Sequence, residues 1–307
     1  MSDLADRTIL FHRDFGGLTG GHLKVWDYYR HATHSRRYRP RIYLTPESVR
    51  DAGNPWLSGP SPPLTAWRPA AADVLFLAGL DWEAVPEPVA MPVINLVQGV
   101  RHADPGDPRR AFLVRPAIRI CVSDEVADAI GGTGLVNGPV HVIPNGIDLD
   151  DLPPPAAVRD TPVLVAGAKN PAFATAVAER LGVAGVRAEC LLAGLPRPAF
   201  LARLARAQVA VTLPLDREGF FLPALEAMAV GAIVVCPDCV GNRGFCRDGE
   251  TAFRPKYTLE AVTSAVLEAV GLDGRAADSL RRTAAAEVLR HGIDRERSAF
   301  LRILDAV

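Results

Sequence analysis

The chain has 307 residues, 49% hydrophobic and 22% charged, an ordinary globular balance that excludes a collagen-like, fibrous or disordered polypeptide. A formal net charge of −1 supplies no global field to recruit nucleic acid, and no apolar run approaches the roughly 20 residues that span a bilayer. At roughly 100–200 residues per domain, this length suggests two domains.

The N-terminal stretch, MSDLADRTILFHRDF, lacks the apolar core and small-residue cleavage site of a secretory leader, which suggests a cytoplasmic protein. Thr8–Arg13 reads as the first strand, Gly16–Gly21 (GGLTGG) as a loop and Gly21–Ala32 as a helix. A basic cluster follows at Arg36, Arg37, Arg39 and Arg41. It reads either as a solvated surface loop or as a weak contact for an anionic membrane surface or a phosphate-bearing acceptor. Arg41–Thr45 is a second strand, and the Pro-, Gly- and Ser-rich stretch Pro46–Pro69 reads as a long surface loop. Strands resume at Asp73–Leu77, Pro92–Val97 and Ala117–Val122. Ser123 then reads as the N-cap of a helix to about Ile130, with Asp124 and Glu125 in its first turn. Val140–Ile143 is another strand, ending in PNGID, and Pro153–Pro155 begins a linker.

A second series then starts, with strands at Pro162–Ala166, Ala188–Leu192, Val209–Leu213 and Ile233–Cys236. Helices fall near Ala172–Leu181, Arg197–Ala205 and Leu222–Val230, and the tail from Leu259 to Val307 is helical in pattern, broken near Gly271–Gly274 and Gly292. Short apolar runs alternating with helices predict an α/β fold built on parallel sheets. The expectation is two Rossmann-like domains facing across a cleft, with ligands at the carboxyl ends of the strands. The boundaries are residues 1–152, residues 160–290 and a C-terminal helix, residues 291–307, expected to pack back on the first domain.

The strongest chemical signal is EGFFLPALEAMA, Glu218–Ala229, which follows a buried strand and opens a helix at about Leu222. Free amides of Phe220, Phe221 and Leu222 at a helix N-terminus suit an anion or a hydroxyl. Glu218 can accept hydrogen bonds from a sugar hydroxyl, and Glu226, eight positions on, can hold a ribose diol with both oxygens. Taken alone, the same pair is equally a helix with acidic residues near its start.

This stretch resembles the donor-site signature of family 4 glycosyltransferases, a retaining GT-B family. VSDEVADAI followed by VIPNGID, LPRPAFLARLARAQVAVTLP before Glu218, and AVGAIVVCPD after it are similar to the same family in the same order. The resemblance implies a transferase that moves a sugar from a nucleotide diphosphate sugar to an acceptor hydroxyl, the donor held by Gly20, Gly21, Lys169, Glu218, Gly219, Phe220, Phe221, Leu222 and Glu226. The family usually carries a Gly-Arg and a nearby Lys for the diphosphate. Here the segment is VLVAGAKNP, with Ala168 in the arginine's place and Lys169 as the nearby cation. Cations stabilise the charge that develops on a diphosphate leaving group. Glu218, Lys169 and Arg243 (in GNRGFC) are therefore the catalytic candidates, Arg243 as the replacement charge; a solvated lysine and a locally paired arginine are the plain alternatives. Gln98, at the end of PVINLVQ, and His102 are assigned to the acceptor side, with His22 near the glycine loop.

The retaining class implies front-face transfer without a protein nucleophile. No DxD-type motif sits at a strand end, so neither a metal nor another cofactor is expected. The acceptor is expected to be a saccharide, a lipid-linked compound or a small molecule. Five cysteines, at 121, 190, 236, 239 and 246, suit a reducing compartment, and the Cys236/Cys239 pair reads as buried structural residues or, less favourably, half of a zinc site. Two other readings stay open: a catalytically silent sugar-nucleotide-binding GT-B protein, and another GT-B enzyme such as an epimerase or a phosphorylase.

Overall fold

The computed structural model describes Arg7–Val307. The chain divides into two compact units, one formed by residues through Asn145 together with Asp294–Val307, the other by Gly146–Ile293.

The first unit is built on a six-stranded sheet of β1 (Arg7–Arg13), β2 (Tyr38–Leu44), β3 (Val74–Ala78), β4 (Val93–Val97), β5 (Ile118–Cys121) and β6 (Val140–Val142), in the order β2-β1-β3-β4-β5-β6. Every pairing is parallel. Helix α1 (Gly20–Ala32) connects β1 to β2, and α2 (Asp124–Gly131) follows β5 with Ser123 Oγ accepting from the Val126 amide, the N-cap read from sequence. The central strands β3 and β4 are buried along their whole length, as a parallel sheet covered on both faces requires.

Two expectations need correction here. Strand β2 begins at Tyr38, not Arg41, so Arg39 and Arg41 lie on a strand rather than in a loop. Pro40 lies within this strand, but β2 is an edge strand, where proline is tolerated. The Pro46–Pro69 stretch is likewise more than a surface loop: Trp56 on its short 3₁₀ turn is fully buried, with edge-on ring contacts to Phe15 and Trp26 at 5.5 and 5.8 Å. Burying one such aromatic contributes about 1.5–3 kcal/mol, enough to pin an otherwise irregular segment.

The C-terminal helix, α8 (Ile293–Asp305), packs on α1. Its Phe300 is fully buried, edge-on to Tyr28 at 5.0 Å and to Phe76 at 5.9 Å. Its Glu296 carboxylate binds Lys24 Nζ at 2.7 Å and His31 Nε2 at 2.9 Å, while Lys24 also binds Asp27 at 2.7 Å. These groups are all nearly inaccessible. Burial works against the Lys24 charge, yet Glu296 and Asp27 outweigh it and raise the lysine's pKa.

The second unit carries a four-stranded parallel sheet of β7 (Thr161–Ala166), β8 (Ala188–Leu191), β9 (Ala207–Thr212) and β10 (Ile233–Val235), in the order β10-β9-β7-β8. Its core joins Val163, Val165, Val209, Val211, Ile233 and Val235 of the sheet to Val177 and Leu181 of α3 (Pro171–Val183) and to Val262 and Val266 of α6 (Leu259–Val270). Helices α4 (Arg197–Arg206), α5 (Leu222–Ala229) and α7 (Gly274–Val288) complete the unit. Strand order reverses between β7 and β9, the position where open parallel sheets leave a crevice at the carboxyl ends of their strands.

Candidate functional site

In the second unit, the candidate residues gather at those carboxyl ends. β7 leads into Gly167–Asn170, and β9 leads through Leu213–Arg217 to Glu218, so the two loops flank the strand-order reversal. Across that gap Lys169 Nζ binds Glu218 Oε1, and the same ammonium sits over the Phe221 ring, 5.1 Å from its centroid. Glu218 is further held by the Leu215 amide at 3.3 Å. Its loop is clamped by Gly241: a Cβ there would lie 2.7 Å from the Phe220 nitrogen and 2.8 Å from the Glu218 carbonyl oxygen. Only glycine lets the segment after β10 pass so close to the Glu218 loop.

Helix α5 begins at Leu222, with Pro223 in its first turn, where a missing amide costs nothing. The Phe221 amide donates to the Gly241 carbonyl at 2.8 Å, so it is not free as expected from sequence. Phe221 itself is buried, and its ring rather than its amide faces the Lys169 ammonium. Phe220 packs beside Phe245 at 5.1 Å and His291 at 5.5 Å, and Gly219 is buried.

Glu226, on α5, is buried, and its Oε1 binds Arg197 Nη2 at 2.7 Å. Arg197 opens α4 just past the carboxyl end of β8, and its Nε is buried without a hydrogen-bond partner. The sequence reading passed over this arginine. Its signal was a cation in LPRPAF, in the short loop between a strand and the start of a helix.

Arg243 forms a two-pronged pair with Asp238, Nη2 to Oδ2 at 2.7 Å and Nε to Oδ1 at 3.2 Å. The hydrogen bond from Arg243 is the main cause holding the Asp238 pKa below its ordinary value. The locally paired alternative therefore describes this side chain as it stands. Cys236, Cys239 and Cys246 are buried near the same turn, Cys236 Sγ accepting from Asn242 Nδ2 at 3.1 Å. Among the described residues no group of three or more His, Cys, Asp or Glu side chains is arranged to hold a metal ion.

The first unit has its own polar cavity, about 530 Å³, at the carboxyl ends of β1 to β4. Gly21, His22, Gln98 and His102 all line it; Gly20 opens α1 but is not part of the lining. Gln98 Nε2 donates to the Gly21 carbonyl at 3.3 Å, tying the end of β4 to the start of α1. A Cβ on Gly21 would meet Gln98 only at 3.7 Å, ordinary contact, so the protein's own packing does not demand glycine there.

One wall is a buried network that sequence reasoning missed. Asp81 binds Arg13 Nη2 at 2.8 Å and His12 Nδ1 at 3.1 Å with Oδ1, and accepts from the Ala78 amide at 2.8 Å with Oδ2. His22, against Phe15 and Trp56, keeps a buried Nδ1 without a partner, and burial first, then Arg13, lowers its pKa. The opposite end follows β4. His102 is buried, and burial first, then Arg109, with Arg101 and Arg119 adding, push its pKa down to about 4 against a smaller opposing effect of Asp107. It is a neutral imidazole at neutral pH. The basic cluster Arg36–Arg41 lies elsewhere, at and beyond the amino end of β2. Arg37 there donates to the Asp305 carbonyl and lies over the Tyr38 ring.

Residues 150–271 match the family model described as glycosyl transferases group 1. No curated protein matches the chain in sequence. Among solved structures, HepE from Anabaena in complex with UDP and glucose is similar at 13% identity and a TM-score of 0.75, over 98% of this chain and 100% of that one. Sucrose-phosphate synthase from Thermosynechococcus elongatus is similar at 14% identity and a TM-score of 0.71, over 98% of both chains. A glycosyltransferase from Rickettsia africae gives 12% identity and a TM-score of 0.65, over 97% of both. At such identities the likeness is one of fold: the α/β, GT-B class with two parallel sheets.

Proposed function

We propose that the chain is a retaining glycosyltransferase that moves a sugar from a nucleotide diphosphate sugar to an acceptor hydroxyl without a metal ion. The observation that carries this reading is the placement of Lys169 and Glu218 in the loops at the strand ends around the β7/β9 reversal, with Glu226 on the helix that follows, inside the residues that match the family model. In this reading Glu226, oriented by Arg197, holds the ribose diol, and Glu218 accepts from the donor sugar's hydroxyls. Lys169 is then drawn from Glu218 onto the diphosphate, where a cation acts on charge that develops in the transition state. The departing phosphate oxygen takes the proton of the acceptor hydroxyl as the new glycosidic bond forms on the same face. The polar cavity of the first unit is the acceptor side, with Gln98 and His102 contacting the acceptor.

The HepE structure holds UDP and glucose, so UDP-sugars are the first donors to test. Turnover with UDP-, GDP- and dTDP-sugars in excess EDTA, with the anomeric configuration of the product read by NMR, tests the proposal. A retained anomer formed in EDTA is the expected result. An inverted product, or activity that returns only with Mg²⁺ or Mn²⁺, would refute those parts of it.

One observation favours a second reading. Arg243 is engaged by Asp238, which leaves Lys169 as the cation of the loop where the family usually has two. A chain that binds the nucleotide sugar but turns over no donor would support a silent binding protein.

A further inference from the structure

The end of the first unit's cavity that follows β4 gathers two arginines around a buried histidine, in a lining that as a whole carries three arginines and three carboxylates. Arg101 and Arg109 line it, and buried Arg119 stands behind, its guanidinium spent on main-chain carbonyls including those of Leu113, Arg115 and Asn137. Asp107 takes Arg109 Nη1 at 3.0 and 3.1 Å, and a second carboxylate, Asp104, lies in the same turn. Arg101 is exposed and makes no side-chain hydrogen bond or ion pair among the described residues. Between them His102 is 6% exposed and lines the cavity, and its ring has no hydrogen-bond partner among the described residues. Its ring nitrogens are not among the sealed, unpartnered polar atoms, so the cavity reaches them and water or a ligand there can bond to the ring.

Three carboxylates line the same cavity, and Asp14 and Glu83, like Arg101, are exposed to water. Asp81 is held by Arg13, His12 and the Ala78 amide, Asp14 accepts from Thr45 Oγ1 at 2.9 Å, and Glu83 is exposed on the turn after β3.

We infer that Arg101, His102 and Arg109 hold an anionic substituent of the acceptor, a phosphate or a carboxylate, so that the acceptor is an acidic rather than a neutral saccharide. The inference rests on the transferase reading for the word acceptor, but the anion site itself is a property of the first unit. Guanidinium groups present planar, paired donors that match phosphate and carboxylate oxygens, and the neutral imidazole adds a donor without adding charge. The site is distinct from the basic cluster on β2. Arg37 and Arg39 flank the amino end of that strand, whereas Thr45, past its carboxyl end, lines the cavity. Seven strand residues separate the ends, about 20 Å at ~3.3 Å per residue.

The test is a binding panel on the full chain, with glucose, galactose and mannose each offered as the neutral sugar, the 6-phosphate and the uronate. Affinity is measured by calorimetry, and contact by the NMR shift of the His102 ring. At least one anionic form should bind about tenfold or more tightly than its neutral counterpart, a modest return for charge-assisted hydrogen bonds. Whether it is a 6-phosphate or a uronate identifies the source of the charge. Arg101→Gln, at an exposed side chain that the fold does not use, should remove most of that preference, and Arg109→Ala should do the same. Arg36→Ala, on the basic cluster, should leave it unchanged. Equal affinity for neutral and anionic forms, no binding of any anion, or a preference lost in Arg36→Ala but kept in Arg101→Gln would overturn the inference. Nucleotide binding is measured in the same samples. Nucleotide bound and donor turned over without any anion preference would retire the acidic acceptor and leave the transferase reading standing. Anion binding intact with no donor ever turned over would retire that reading alone.

Discussion

His102 makes the pH dependence of the first unit calculable. Its folded pKa lies near 4 because burial first, and then Arg109, disfavour the imidazolium; the ordinary value is 6.5. Between those values the unfolded chain binds the proton and the folded unit does not, so stability falls as pH drops through that window. The penalty works out at about 0.2 kcal/mol at pH 7 and about 2.5 kcal/mol at pH 4.5, on a scale of ~1.4 kcal/mol per pKa unit. The perturbation is His102→Gln, which keeps a polar group but cannot titrate. All four tryptophans, Trp26, Trp56, Trp67 and Trp82, belong to the first unit, so urea unfolding followed by tryptophan fluorescence reports that unit alone. Carboxylates titrate in both proteins and cancel in the comparison. Between pH 7 and pH 4.5 the wild type should lose roughly 2 kcal/mol more than the variant. Equal losses would mean that His102 is not held neutral by its surroundings, and an NMR titration of its ring with a midpoint above 6 would say so directly.

Glu226→Ala should weaken nucleotide binding by roughly 1.5–3 kcal/mol, the range for charged hydrogen bonds, and Arg197→Ala should act in the same direction. If the pair acts as one unit, the double variant will cost less than the sum in calorimetry. Glu296→Gln removes the charge shared by buried Lys24 and His31 and should destabilise the first unit by about 3 kcal/mol, read by the same tryptophan unfolding. Gly241→Ala forces apart the backbone around Glu218 and should cost about 1–3 kcal/mol in thermal unfolding while lowering donor turnover; unchanged turnover would show that the Glu218 loop tolerates displacement.

The elements were largely legible because period-two and buried apolar runs mark parallel strands whatever their neighbours do. TILFHR, DVLFL and VINLV each became a strand of the first sheet. The exceptions have local causes. Pro40 is harmless only because β2 is an edge, and edge position is a property of strand order that no window of sequence contains. Trp56 lay in a stretch whose composition spelled loop, yet one aromatic with three ring partners is enough to bury its turn. The placement of the second unit's candidate residues was legible because Glu218 and Glu226 sit on one continuous loop and helix. That of Arg197 was not: it reaches Glu226 from a different strand's end, 29 residues away in the chain. The first unit's cavity is the extreme case. His12 and Arg13 end β1, Asp81 follows β3, and Gln98, Arg101 and His102 follow β4. No two of these groups form a motif in sequence. A parallel sheet brings every strand's carboxyl end to one edge, so residues that look unrelated along the chain converge there. A polar or charged residue just after a buried run was therefore the signal available. Arg13, Asp81 and Gln98 each occupied that position, and only Gln98 was read for it.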